Sequence, residues 1–231
     1  MTPVLIACSH GTSSPDGRAA ISATVEKVRL LLPDVSVEEA FVDVQQPEID
    51  DVVRAVSPRP AVVVPLLLST GFHTKVDIAR AVTDAGGRAT ATAALGPHPL
   101  LAELLATRLH EVGLSAGDAV VLAAAGSSDP AASVDVAGMA DLLRHHLDAS
   151  VSVAFAAGAG IRIGDAVAQA RAAGARRVVA ASYVLAPGHF ADVIARGGAD
   201  VVTAPLAPDD AVARIVAERY LAAADTLARA A

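Results

Sequence analysis

Four landmarks in the first half of this chain recur, in the same order, about 115 residues further on. The run Val4-Leu-Ile-Ala-Cys-Ser-His-Gly maps onto Val120-Val-Leu-Ala-Ala-Ala-Gly, with one residue of slack. Glu39-Ala-Phe41 maps onto Val153-Ala-Phe155, Pro65 to His73 onto Ala181 to His189, and Leu95-Gly-Pro97 onto Leu206-Ala-Pro208. A pattern written twice at about 110 residues, an ordinary domain size, reads as two tandem domains. The join falls near residues 113–117, giving domains 1–114 and 115–231. A single eight-stranded sheet is the alternative.

Within each half, short apolar β-branched runs alternate with Ala/Leu segments of helical period. The predicted strands are 4–8, 35–42, 61–68, 90–95, 119–124, 151–155, 177–184 and 200–204. The predicted helices are 18–32, 47–56, 76–85, 99–112, 134–147, 162–172 and 209–228. Strands that are apolar throughout, rather than on alternate residues, are covered on both faces, as in parallel sheets. The βα alternation therefore predicts an α/β fold with mostly parallel sheets flanked by helices.

Composition narrows the function. The 231 residues are 53% hydrophobic with a formal net charge of −7, and aromatics make up 3%. Without a basic face or stacking aromatics, nucleic acid is not an expected partner. No uninterrupted apolar stretch reaches membrane-spanning length, and the N-terminus has no basic segment before its first strand, so a cytoplasmic location is expected. The one cysteine, Cys8, lies inside the first apolar run and reads as a buried thiol.

The polar residues that interrupt this pattern follow strands. His10 follows the first, Asp43 the second, Ser69, Thr70 and His73 the third, and His98 the fourth. In an open parallel sheet all these positions lie at the carboxyl edge, where doubly wound folds place the ligand crevice. Two imidazoles and a carboxylate suit a divalent first-row metal. Competing chemistries lack their signatures. Ser9 and Ser69 have no Gly-x-Ser-x-Gly elbow, and no Gly-Lys-Ser/Thr follows the Gly11 to Gly17 loop. Phosphoryl transfer through His10 is a further alternative. Histidine-phosphatase-like proteins, however, carry Arg-His-Gly where this chain has Ser9-His10-Gly11.

Several pieces together resemble the class II chelatases of the CbiX/SirB type, the sirohydrochlorin chelatases. They are His10-Gly11-Thr12, Ala40-Phe41-Val42-Asp43 with Pro47, Val62 to Ile78 with its core Pro65-Leu-Leu-Leu-Ser-Thr-Gly-Phe-His73-Thr-Lys-Val-Asp77, and Leu95-Gly-Pro-His98-Pro. The resemblance is strong over residues 1–114, and the second half resembles a diverged copy.

The resemblance implies two chelatase-like domains facing a central cleft. It also implies insertion of Fe2+ or Co2+ into sirohydrochlorin, on the way to sirohaem or cobalamin, with the metal as substrate and no permanent cofactor. A carrier that binds tetrapyrrole or metal without catalysing insertion is the alternative. The resemblance puts metal-binding histidines at His10 and His73, with an acid at Asp43, where family members commonly carry Glu. His-Gly-Ser-Arg is frequent where this chain reads His10-Gly-Thr-Ser, and Arg18 is the expected substitute. Arg18, Lys75 and Arg80 are expected to meet the substrate's carboxylates, and Ser9, Ser69, Thr70, His98 and His189 are further expected contacts. A monomer, acting as an internal pseudo-dimer, is expected. Because Ala125 stands opposite His10 in the repeat, one site per chain is expected.

Overall fold

The computed structural model describes residues 2–71 and 74–230; His73 lies outside them. The first half contains β1 (Val4–Ser9), α1 (Pro15–Leu31), β2 (Val37–Phe41), α2 (Ile49–Val56), β3 (Ala61–Pro65), a π turn (Thr74–Ile78) leading into α3 (Ala79–Asp84), β4 (Ala89–Ala91) and α4 (Pro99–Glu111). The second contains β5 (Asp118–Ala124), α5 (Pro130–Arg144), β6 (Ser150–Phe155), α6 (Ile163–Ala172), β7 (Arg177–Tyr183), α7 (His189–Ala195), β8 (Val201–Val202) and α8 (Asp210–Ala230).

Each half contributes one four-stranded sheet, ordered β2-β1-β3-β4 and β6-β5-β7-β8, with every pairing parallel. Two sheets, not one of eight strands, is therefore the arrangement. The central strands β1, β3 and β5 are buried along their whole length, which explains their unbroken apolar sequence. Edge strands β4 and β8 pair on one side only and are shorter than the runs 90–95 and 200–204 suggested.

Helix starts are written locally. Ser14 caps α1 by accepting from the Gly17 amide, and Asp129 caps α5 by accepting from the Ala131 amide, each followed by proline at the first helical position. These caps start α1 at Pro15 and α5 at Pro130, ahead of the expected 18 and 134. Helix α7, seven residues long, was not expected at all, since its sequence is too short to show a helical period.

The compact units are not the two sequence halves. One comprises residues 1–95 and 208–231, the other 96–207. Helix α8 packs on α1 and β3, where Tyr220 is buried and its hydroxyl donates to the Pro3 carbonyl at 2.7 Å. Helix α4, at the equivalent place in the first half, packs on α5 and β7 through Leu101, Leu105 and Leu109, all fully buried. Asp118, at the start of β5, accepts from Arg177 Nη2 at 2.7 Å, and the same Nη2 donates to the Gly113 carbonyl just after α4. The repeat counts sequence; the units count which sheet each last helix covers.

Candidate metal centre

The strand order places the site. From β1 the chain moves to one neighbour, β2, and then crosses to the other, β3, so the crevice of a doubly wound sheet opens at the carboxyl ends of β1 and β3. His10 is the first residue beyond β1 and is half-buried, its Nδ1 3.2 Å from the Gly11 carbonyl. The ladder continues past the end of β3, where the Leu66 amide donates to the Cys8 carbonyl at 2.7 Å. The apolar run to Leu68 thus leaves the sheet as a wall of the crevice, followed by half-buried Ser69 and Thr70.

Asp43 is fastened to the His10 turn through the backbone. The Val42 amide donates to the Ser9 carbonyl and the Asp43 amide to the His10 carbonyl, both at 3.1 Å. Gly11, at φ +90°, is a position no side chain can occupy: a Cβ there would lie 2.2 Å from the Asp43 carbonyl oxygen. The Gln45 amide donates back to the Asp43 carbonyl at 2.6 Å around Val44, which has φ +61°. An i to i+2 bond around a positive-φ β-branched residue is a strained γ-type turn, of the kind that concentrates at functional sites. The exposed Asp43 carboxylate accepts from the Val44 amide at 2.7 Å, and the Gln45 side chain accepts from the Thr12 amide at 2.9 Å. Gly11, Val44 and Gln45 do the supporting work here. Only the glycine carried a sequence signal.

The described residues on either side of His73 are joined by hydrogen bonds. Thr74 Oγ1 accepts from the Gly71 amide at 2.9 Å and donates to the Gly71 carbonyl at 2.8 Å. Among the described residues no three His, Cys, Asp or Glu side chains gather into a metal-holding group.

Of the expected cations, Arg18 lies on α1, where its Nε donates to the Thr12 carbonyl of the His10 loop at 2.8 Å. Lys75 is exposed on the π turn. Arg80 ion-pairs with Asp50 at 2.9 Å and with Asp77 at 3.6 Å, joining α3 to α2 and the π turn. Ser9, the last residue of β1, is buried. His98 belongs to the second unit and caps α4, its Nδ1 accepting from the Leu100 amide at 3.2 Å. The Cys8 thiol is pushed up to about 12, mainly by burial and further by the Asp77 charge, which keeps it protonated.

The CbiX family model matches residues 4–112 and again residues 119–223. The chain belongs to the CbiX family. A probable sirohydrochlorin cobaltochelatase of Halobacterium salinarum is 32% identical over 132 residues, covering 50% of this chain and 44% of that relative's length. SirB from Bacillus subtilis with Fe3+ superposes with a TM-score of 0.83 at 21% identity, over 97% of this chain and 96% of that one. SirB from Bacillus subtilis subspecies spizizenii in complex with cobalt gives 0.80 at 21%, over 98% and 97%. The two SirB likenesses concern the fold. No helix among the described residues is long and apolar enough to cross a membrane.

The two CbiX repeats share the turn after their first strand, which makes the differences between them legible. Gly126, at φ +87°, faces the Ala157 carbonyl as Gly11 faces that of Asp43. The Ala157 amide donates to the Ala125 carbonyl as that of Asp43 does to His10. Ala125 and Ala157 thus stand where His10 and Asp43 stand in the first repeat. The stretch that carries His73 in the first repeat is one residue longer than the one that carries His189 in the second. Leu67 and Val184 accept from the equivalent Leu95 and Leu206 amides, and Gly71 and Gly188 accept from the Lys75 and Asp192 amides four residues on. Counting on from these glycines pairs Phe190 with His73, whereas counting back from the buried Ile78 and Ile194 pairs His189 with His73. His189 is exposed on the first turn of α7, edge-on to Phe190 with ring centroids 5.3 Å apart.

Proposed function

We propose that this CbiX protein is a chelatase, a lyase that inserts Fe2+ or Co2+ into sirohydrochlorin, the metal being a substrate rather than a resident cofactor. The observation that carries the reading is His10 at the β1/β3 switch point with Asp43 tied to its turn, in a chain whose two repeats both belong to this family. Insertion replaces two pyrrole N–H protons with one M2+, so the site must ligate a cation and accept protons. A neutral imidazole can do either, and a nearby carboxylate favours the cation. We assign ligation and proton acceptance to His10 and His73, with Asp43 as the third ligand or acceptor. Positioning of these groups supplies most of the rate.

Ser69 and Thr70, beside the crevice, are assigned to the substrate with Arg18 and Lys75, which meet its carboxylates. His98 and His189 are assigned at most secondary contacts. One active site per chain, a monomeric working unit and a cytoplasmic location complete the reading, supported by the internal repeat and the single buried cysteine.

The test is absorbance of metallated sirohydrochlorin with protein well below substrate, using Fe2+, Co2+ and Ni2+ in turn. Many turnovers per chain are expected with iron or cobalt. Metallation that stops at one equivalent would make the protein a carrier instead.

A further inference from the structure

A cavity of about 520 Å3 lies between α2 and α3 on the first sheet and reaches its amino edge, opposite the edge that carries His10. Its floor is apolar: Val53 and Val56 of α2, Ala81 and Ala85 in and just after α3, and Ala61 and Ala89 at the starts of β3 and β4. Four of these six are alanines, whose short side chains leave the space unfilled. A volume of this size is ordinary for a site that takes a small organic molecule.

Strand register shows what distinguishes the rim from the same edge of the second repeat. Ile6 and Val121, four residues before His10 and Ala125, pair with Val63 and Ala180, which in turn pair with Ala91 and Val202. Pro3 and Ala89 therefore stand where Asp118 and Asp200 stand in the second repeat. Those aspartates neutralise their edge, Asp118 pairing with Arg177 at 2.7 Å and Asp200 with Arg171 at 2.8 Å. In the first repeat neither acid is present, and the rim carries Arg59 and Arg88. The Ala61 amide donates to the Arg88 carbonyl at 2.9 Å and Arg59 lies two residues before Ala61, so the two arginines enter neighbouring strands. Both are exposed, and neither side chain makes an ion pair or hydrogen bond among the described residues. Most other charges on the wall are engaged: Arg54 with Asp51 at 2.5 Å, Asp50 with Arg80 at 2.9 Å, and Glu48 with the Gln46 side-chain amide at 3.1 Å. Asp84 is the remaining acid, which leaves two cations against one anion.

We propose that this cavity is a binding site for a small amphipathic monocarboxylate, its apolar body on the alanine floor and its carboxylate against Arg59 and Arg88. Guanidinium groups hold carboxylates through paired charge-assisted hydrogen bonds, whereas an ammonium group in the same place would meet like charge. The cavity lies at the opposite edge of the sheet from the metal centre, so the proposal does not rest on the chelatase reading.

Isothermal titration of the full-length protein with octanoate, and separately with octylammonium, tests it. Octanoate should bind at one site per chain with a dissociation constant below about 1 mM, and octylammonium at least about tenfold more weakly. The double variant Arg59→Ala/Arg88→Ala, with an unchanged circular dichroism spectrum, should lose at least about tenfold in octanoate affinity. Ala85→Leu, which puts a larger side chain into the floor, should abolish binding. Absence of octanoate binding, equal affinity for octylammonium, or a folded variant of either kind that binds octanoate like the wild type overturns the proposal. Should Ala85→Leu not fold, the double arginine variant, altered only at exposed positions, decides.

Discussion

The Asp43 amide donates to the His10 carbonyl at 3.1 Å, so two of the three candidate metal residues of the first repeat belong to one interlocked pair of turns. The second repeat keeps that bond between Ala157 and Ala125 and keeps neither side chain. The scaffold is therefore separable from the chemistry it carries.

Removing the chemistry alone should leave the scaffold standing. His10→Ala is expected to slow metal insertion by at least about tenfold, roughly 1.4 kcal/mol of transition-state stabilisation, with an unchanged circular dichroism spectrum. Asp43→Ala should also slow it, whereas Asp43→Glu keeps the carboxylate and most of the rate. Steady-state rates for the three variants check this, and equal rates for the Ala and Glu variants would leave Asp43 a structural role only.

Disturbing the scaffold should do both kinds of damage. Gly11→Ala puts a methyl into the Asp43 carbonyl and forces a side chain to φ +90°. A loss of about 1–3 kcal/mol or more in unfolding free energy is expected, together with weaker metal binding, because the Asp43 loop must move. Urea unfolding and Co2+ titration of the variant measure the two effects, and a variant as stable as the wild type would contradict the close approach.

His189 is exposed on the first turn of α7, in the repeat that has Ala125 and Ala157 where His10 and Asp43 stand, so its loss should be mild. His189→Ala is expected to insert metal within about threefold of the wild-type rate, far from the effect of His10→Ala. Equilibrium dialysis with Co2+ should find one tight site per chain; two equivalent sites would refute the single-site assignment.

Asp118 gives a pH signature in the second unit. Two hydrogen bonds from the Arg177 guanidinium and one from the Ser115 amide hold its carboxyl below the usual carboxylate range. With the folded pKa below the unfolded value of about 3.9, this group stabilises the protein above that pH, and the contribution disappears as pH falls through the folded pKa. Asp118→Asn should therefore lower the urea midpoint at neutral pH, and the gap from wild type should close in strong acid. A gap that persisted unchanged at low pH would assign the effect to something other than this carboxylate.

Much of this was legible because it is local. The buried strands announce themselves as continuous apolar runs, and the βα alternation fixes a parallel sheet with His10 and Asp43 at its carboxyl edge. The repeat needed only Gly11 and Gly126, Phe41 and Phe155, and even spacing. Thr74 and Gln45 were not legible, since a threonine or glutamine in a loop looks the same whether it holds a turn or faces water.

What the amino-acid order determined by itself was the element sequence, the duplication and the edge on which the histidine stands, all of which follow from short-range periodicity. Tertiary structure alone decided that α4 packs on β7 of the second sheet and α8 on β3 of the first, because the apolar period of a helix does not say which sheet it covers. It also placed Ile78, at the end of the π turn after β3, in one buried cluster with Cys8 on β1. Contacts between segments about 70 residues apart depend on strand register, where a slip of one residue turns every side chain to the opposite face.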